Sequence, residues 1–588
     1  MGARLQRSLV RVDLSAGTVT RERIPEEWLR RFVGGKGLGA RYLYDALEPG
    51  IDPLGPENAL LFMVGPLSGL TPGEPRYAAI TKSPLTGAFL DSYSGGEFAA
   101  RLAGSLGDAM GLLVTGRARE PTAIRAADGE VTLESVPDLW GGSVHDTCTA
   151  YPDSNVACVG PAGENEVVYA TIASDCGKHH AGRGGAGAVM GSKRLKAVVA
   201  AGEPRTGLEA LRSTYEERFS EERTGPWHRS SETVETVDFA NEVGVLSTRG
   251  WQESTFEGAE DIGIEAVRDA ATEREHEGEP IPGGFRITVN GEETTPRGAT
   301  QMTLGAGLGI DEFEDIAVLG EQCNRLGVDI IGVGNAVAWT FRAAEAGLVD
   351  ASGSFGDVEA AGEMIAAIAG REPGLPDDLA DGLDRAAAEY GGEELIPTVK
   401  GMELPSYDPR RTPGMALAYA TSDRGACHRR ARPIETEVFD PTLAEPRRRA
   451  REVAAEQDFR SVLWSLIADD FTGDVFAGDF GAEWLGAVGL ELSTEDLRTA
   501  GERIWNLTRL FNLREGFARA EDELPTVLAE PMRDGPGAGA AVDEAEFEGL
   551  LEAYYRERGW DVDGRPTPGT LERLDLAAIA PRDDHRVR

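Results

Sequence analysis

From Val10 to Arg23 the chain reads VRVDLSAGTVTRER, two short strands of alternating apolar and polar positions joined by a Ser-Ala-Gly turn. Pro25 then opens a helical stretch that runs to Leu47. Up to Glu203 the apolar positions come in short β-branched or aliphatic runs, among them Ala59–Val64, Leu112–Val114, Ala123–Ile124 and Ala197–Ala201, each bounded by Gly, Pro or Asp. Beyond Thr206 the composition shifts to Ala, Glu and Arg with a 3.6-residue period, clearest in Glu312–Leu348, Val358–Ile368 and Ala444–Glu456. The pattern predicts an α+β protein with a β-rich domain over residues 1–205 and two mainly helical domains over 206–405 and 406–588. Ala351–Gly356 and Tyr390–Pro405 read as connections, and the Gly- and Pro-rich stretch around Asp534–Ala541 leads to a charged tail expected to fray.

Charge changes the picture more than size. The 588 residues hold 100 Asp plus Glu against 59 Lys plus Arg, a formal net charge of −41, and six of the bases are Lys. The acids are spread along the chain, as expected of a surface adapted to high salt, where the Debye length falls to about 3 Å and self-repulsion is screened. Such a field argues against nucleic acid and anionic membrane as partners. Residues Met1–Val10 lack a signal-type apolar run and no segment approaches the ~20 apolar residues of a membrane span, so a cytoplasmic, halophilic protein is expected. The five cysteines, Cys148, Cys158, Cys176, Cys323 and Cys427, form no CxxC pair and are expected to be reduced thiols.

Two glycine-rich stretches carry candidate chemistry. In Ala181–Lys196, AGRGGAGAVMGSKRLK, glycines surround Arg183 and allow backbone N–H groups to approach an anion. Gly182 to Gly187 matches GxGxxG, but the polar Cys176–Ala181 in front is not the hydrophobic strand a dinucleotide site needs, and Gly191-Ser-Lys193 is not a Walker sequence. The second stretch, PRYAAITKSPLTGAFLDSYSGGEF, holds Arg76 and the Tyr93-Ser94-Gly95-Gly96 turn. Two loops of Gly plus Arg suit a large phosphate-bearing cofactor, since Arg forks onto phosphate; tight turns in a β-rich domain are the competing explanation.

The ordered blocks GPLSGLTPGEPRYAAITKSPLTG, SYSGGEFAARL, VGPAGENEVVYATIAS, AGRGGAGAVMGSKRLKAV, CNRLGVDII, VKGMELPSYDPR and YATSDRGACHRRA resemble the aldehyde ferredoxin oxidoreductase family. The resemblance implies a β-rich base domain and two helical domains around a tungsten or molybdenum held by two pterins, with aldehyde oxidised to acid and electrons passed to an acceptor such as ferredoxin. It implies that Arg76, Tyr93, Ser94, Gly95, Ala181, Gly182, Arg183 and Gly184 lie along the pterins, with backbone carbonyls near 93 and 181 holding a bridging Mg²⁺. Tyr93 stands where the family usually has Asn. Asn324, Gly327, Val328 and Asp329 resemble the first of two pterin-binding elements, and Trp464–Asp469 is a degraded second one. The block Arg424–Arg430 places Arg424 and Arg430 beside the cofactor and His428 as the acid or base of proton transfer. On residues alone a packed or carboxylate-binding histidine is the preferred reading of His428, and the resemblance reverses that preference.

The pattern breaks where the family holds its iron–sulfur cluster. The four cysteine positions fall on His276, Glu279, Gly283 and Asp469, anchored by Pro280-Ile281. A [4Fe–4S] cluster normally needs four thiolates, so none is expected. His276, Glu279 and Asp469 as a mononuclear metal site is the weaker alternative to a solvated loop. A family Glu near the metal corresponds to Arg297. Two readings stay open: a cluster-free aldehyde oxidoreductase, which the resemblance implies is a homodimer, or a catalytically degenerate paralogue serving an intact one as a partner subunit.

Overall fold

The computed structural model describes residues 3–222, 224–439 and 445–580. The end of the tail expected to fray, residues 581–588, and Ala444, the first residue of one expected helix, lie outside the described residues. Twelve strands in two six-stranded sheets occupy the first 200 residues. The first sheet joins β1 (Ser8–Asp13), β2 (Thr18–Arg23), β3 (Leu60–Met63), β4 (Tyr77–Lys82), β5 (Phe89–Ser94) and β6 (Ala109–Thr115) in the order β2-β1-β6-β3-β4-β5. The second joins β7 (Thr122–Ala127), β8 (Glu130–Ser135), β9 (Asn155–Cys158), β10 (Ile172–Ser174), β11 (His179–Ala181) and β12 (Leu195–Ala200) in the order β11-β10-β9-β12-β7-β8.

The expected β1–β2 hairpin pairs Ser8 with Arg23 through Asp13 with Thr18, with β2 as an exposed edge. Strands β3, β4 and β5 are buried along their whole length; β3 is a continuous apolar run, whereas β4 and β5 also bury Thr81, Lys82, Asp91, Ser92 and Ser94. Helix Gly35–Ala46 covers one face closely: a Cβ on Gly39 would stand 2.2 Å from Ile80 Cδ1. The same core takes in Trp464, Leu466, Ile504 and Phe511 from the long helices Pro446–Leu466 and Thr494–Arg514, so the C-terminal helices pack on the N-terminal sheet. A second core lies among helices Phe313–Leu326, Ile330–Glu345 and Val358–Gly370, at the places their periodicity predicts.

Two features depart from expectation. The middle region, read as helical, contains a three-stranded sheet of β13 (Glu273–Arg274), β14 (Phe285–Val289) and β15 (Glu292–Thr294). Phe285, Ile287 and Val289 point inward on alternate positions, and Asn290-Gly291 turns the chain with positive φ at both residues. The segment before Gly182 is also a strand, β11, with helix Ala186–Ser192 after the loop. It pairs antiparallel with β10 at a sheet edge, so it is not the parallel βαβ strand of a dinucleotide fold.

Candidate active site

The glycine loops, the Asn324–Asp329 element and the Arg424–Arg430 segment meet around one cavity of about 1390 Å³. Arg76, Tyr93, Gly95, Gly182, Arg183, Asn324, Val328 and Asp329 line it, as do Arg424, His428, Arg430 and Asp469. Ser94, Ala181, Gly184 and Gly327 stand just behind. The Ser94 hydroxyl lies 2.8 Å from that of Ser174, which ties the two glycine loops together. Gly184, at φ +81°, packs under Leu90, where a Cβ would come to 2.5 Å from Leu90 Cδ1. Gly327 ends helix Phe313–Leu326 in the left-handed conformation at φ 72°, the usual device for stopping a helix.

Two residues further on, Asp329 starts helix Ile330–Glu345 by accepting from the N–H groups of Ile331 and Gly332. It also pairs with Arg183, Nε to Oδ2 at 3.1 Å. Burial nevertheless raises its pKa above the ordinary carboxylate value, outweighing Arg183 and the helix N–H groups. Behind Arg183 sits Glu403, fully buried, neither carboxylate oxygen hydrogen-bonded, and burial pushes its pKa up to about 8 against the opposing pull of Arg183.

Charge on the opposite wall is balanced from below. Arg430 Nε donates to Asp423 at 2.8 Å and its Nη2 to Asp91, while Lys36 bridges the same two carboxylates, 3.2 Å from Asp91. Arg424 donates to the Asp91 carbonyl at 2.7 Å and to Cys427 Sγ at 3.0 Å. Burial favours the neutral Cys427 thiol, but Arg424 and Arg430 outweigh it and bring the pKa down to about 7. His428 is driven well below its ordinary value by burial and then by Arg429, Arg432, Arg183 and Arg424, so its imidazole is neutral near pH 7. Tyr93 donates to Asp91 and stacks on Trp464 with ring centroids 3.9 Å apart.

The donor set fits an anionic, phosphate-bearing pterin cofactor. Arg424 Nε, Arg430 Nη1, His428 Nδ1 and Trp464 Nε1 are buried without a protein partner, and all four side chains line the cavity. An iron–sulfur cluster is a different matter. Asp469 is engaged by Arg76, Nε at 3.1 Å and Nη2 at 2.9 Å, and by the Glu74 N–H. His276 and Glu279 are exposed and face each other at 3.6 Å, while Gly283 turns between β13 and β14. Among the described residues no group of three or more His, Cys, Asp or Glu side chains is placed to hold a metal ion, so the residues present do not fit a cluster or the mononuclear alternative. Arg297 is ion-paired with Glu232 and, at 3.7 Å, with Glu74.

One expectation is corrected: Cys148 and Cys176 form a disulfide, so only Cys158, Cys323 and Cys427 are thiols. Helix Val144–Thr149 brings Cys148 against the β10–β11 turn that carries Cys176, an approach that a separation of 28 residues does not announce. Lys36, Asp91, Asp423, Glu74 and Glu232 were also missed. Lys36 stands among the glycines of GGKGLG, a motif-like signal; the acids stand in no such motif, and each also pairs with a residue distant in sequence.

Comparison with known proteins agrees with this geometry. Residues 9–202 match the family model "Aldehyde ferredoxin oxidoreductase, N-terminal domain", and residues 210–576 match that for its domains 2 and 3. The tungsten-containing aldehyde ferredoxin oxidoreductase of Pyrococcus horikoshii is 35% identical, with 97% of this chain and 98% of the relative aligned. That of Thermococcus kodakarensis is 35% identical with the same coverage. The WOR-like subunit of an aliphatic sulfonate oxidoreductase of Pyrococcus furiosus is 26% identical over 99% of this chain and 98% of that one. The fold is shared with a chain of the active site complex BamBC of benzoyl coenzyme A reductase, with a TM-score of 0.83 at 22% identity and 98% of each chain covered. With both family models matched across most of its length, the chain belongs to the aldehyde ferredoxin oxidoreductase family.

Proposed function

We propose that the chain is an oxidoreductase that converts aldehydes to carboxylic acids at a tungsto- or molybdopterin centre and passes electrons on without an iron–sulfur cluster of its own. The observation that carries this reading is the set of buried donors on Arg424, Arg430 and Trp464, with the Nδ1 of His428 beside them, left without protein partners around one large cavity. Arg76, Arg183, Asp329, Arg424 and Arg430 would hold the pterins, with carbonyls near Tyr93 and Ala181 reaching a bridging Mg²⁺. When bound, the group supplies a two-electron oxidation.

The chain's own residues set the protons. His428 is neutral and its Nδ1 lacks a partner, so that nitrogen is free to take the proton released as an aldehyde becomes an acid. The four arginines around it oppose its protonation until an anionic ligand offsets them. Arg297 takes no proton in this scheme, being a fixed cation between Glu232 and Glu74.

The position of Arg297, together with His276, Glu279, Gly283 and Asp469 in place of thiolates, favours a second reading: a degenerate paralogue acting as a partner subunit. Protein isolated from its native host in high salt and assayed for W, Mo and Fe decides between them. Near-stoichiometric W or Mo with almost no Fe, followed by aldehyde oxidation with artificial acceptors, supports the enzyme. About four Fe per chain overturns the cluster-free reading. Folded protein without metal favours the partner subunit. A halophilic, cytoplasmic homodimer that uses ferredoxin or an intact paralogue as acceptor completes the proposal; the acidic composition supports its salt adaptation, and no helix among the described residues is long and apolar enough to cross a membrane.

A further inference from the structure

Beside the cofactor loop the cavity wall holds a second group of polar side chains that the proton chemistry above does not use. Glu232 and His228 are each 4% exposed and Thr295 is 6% exposed, and all three line the cavity. Glu232 Oε2, His228 Nδ1 and Thr295 Oγ1 are buried and have no hydrogen-bond partner. Their position follows from a chain of contacts. Glu232 pairs with Arg297, Arg297 lies 3.7 Å from Glu74, and Glu74 packs so closely on Gly95 that a Cβ there would come to 2.1 Å from its Oε2.

Each unpaired buried polar group costs about 1–3 kcal/mol, so three on this part of the cavity wall call for a ligand that satisfies them. A carboxylate oxygen accepts, a threonine hydroxyl donates or accepts, and an imidazole nitrogen without a proton accepts. Burial keeps His228 below its ordinary pKa and hence neutral. Hydroxyl groups complement such a set because each can donate to one member and accept from another. An alkyl or aryl group would leave all three desolvated and unpaired. An anionic group would meet the carboxylates of Glu232 and Glu74, which share the single Arg297 cation between them.

We infer that this patch, formed by Glu232, His228 and Thr295, is a substrate subsite that binds the hydroxyl groups of a polyhydroxylated aldehyde. The inference rests on the aldehyde oxidoreductase reading for its chemistry but not for its binding. A site built to hydrogen-bond a hydroxyl rejects an analogue lacking it by far more than a hydrophobic pocket discriminates a methylene.

Two measurements test it. With metal-loaded enzyme and an artificial acceptor, glyceraldehyde and propanal differ only in hydroxyls on a three-carbon frame, and kcat/KM is expected to favour glyceraldehyde by at least ~100-fold. Thr295→Val is expected to narrow that ratio about tenfold, one lost hydrogen bond's worth, and Thr295→Ser to restore it. Equal kcat/KM for the two aldehydes, or a Thr295→Val loss shared equally by both, overturns the subsite. Saturation-transfer NMR with glycerol and with 1-propanol provides a readout independent of turnover. Glycerol contact that weakens in Thr295→Val while 1-propanol shows none supports the subsite even if no aldehyde is oxidised, in which case the oxidoreductase reading alone falls. No contact from glycerol overturns the subsite.

Discussion

Arg76 holds Asp469 through two donors on one oxygen, Nε at 3.1 Å and Nη2 at 2.9 Å. Both side chains are buried, and Asp469 occupies the position that, by resemblance, closes a cluster with a cysteine. The residue is therefore a counter-ion of Arg76. Glu74 at 3.0 Å and Asp470 at 3.6 Å add to the negative charge around Arg76, whose pKa rises because these carboxylates outweigh the cost of burial.

Removing one partner of a buried pair leaves the other charge uncompensated, which typically costs ~3–5 kcal/mol. Asp469→Ala is expected to lower the unfolding free energy toward the lower end of that range, because Glu74 and Asp470 remain. Asp469→Asn, which keeps an acceptor for Arg76, should lose less. Denaturant unfolding at fixed salt reads the order directly, and an unchanged midpoint for Asp469→Ala would show the pair to be dispensable.

Gly182 and Gly184 separate ligand space from backbone strain within one loop. Alanine at Gly184 meets Leu90 at 2.5 Å and must adopt φ +81°, so Gly184→Ala should destabilise the fold by roughly 1–3 kcal/mol and lower the bound metal with it. Alanine at Gly182 meets only ordinary contacts, the nearest being Asp329 Oδ1 at 3.6 Å. Gly182→Ala should therefore fold with near-native stability yet load less metal, since its methyl group occupies space the cofactor needs. Metal analysis beside thermal melts distinguishes the two; full loading of Gly182→Ala would remove Gly182 from the binding loop.

Most of the secondary structure was legible because its signals are local. The Val10–Arg23 hairpin follows from alternation, and period alone marks Glu312–Leu348 as helical, a stretch that Gly327 and Asp329 divide into the helices Phe313–Leu326 and Ile330–Glu345. The β14–β15 hairpin is equally legible in RITVNGEET, whose Asn-Gly turn is a local signal that the helical composition of the surrounding region masks. The site divides the same way. Glycine loops and the Arg-rich segment betray themselves by composition, and the structure gathers them. Asp91 and Asp423 do not: they matter only because β5 and the 421–424 turn place them on either side of Lys36 and Arg430, and the pairs Lys36–Asp423 and Asp91–Arg430 span 387 and 339 residues that no local pattern encodes.

The Cys148–Cys176 disulfide staples helix Val144–Thr149 to the turn that leads, through β11, into the Gly182–Gly184 loop. Closing a loop over a separation of 28 residues restricts the unfolded chain by about 3–4 kcal/mol in the entropic account. Under denaturing conditions without reductant, three thiols should titrate per chain, and five after reduction. In the native protein Cys158 should be inert, because burial pushes its thiol up to about 12. Cys148→Ser should lower the unfolding free energy by an amount near that estimate; five thiols in the unreduced, denatured chain would show the bond to be absent.

Glu403 makes stability depend on pH in a direction that can be worked out. Its carboxyl has an ordinary pKa of 4.5 and titrates at about 8 when buried behind Arg183. Between those values the folded chain keeps a proton that the unfolded chain has released, so the contribution falls as pH rises, by up to about 1.4 kcal/mol per pH unit. Below 4.5 both states are protonated and the effect vanishes; above about 8 both are ionised and the loss is complete. Glu403→Gln mimics the neutral acid throughout. The stability of wild type minus that of Glu403→Gln, measured by denaturant unfolding at constant high salt, should therefore decline by several kcal/mol between pH 5 and 8 and then level off. A difference that stays flat across this range would mean that Arg183 holds Glu403 ionised, and that the buried carboxylate is a permanent counter-charge at the back of the cofactor loop.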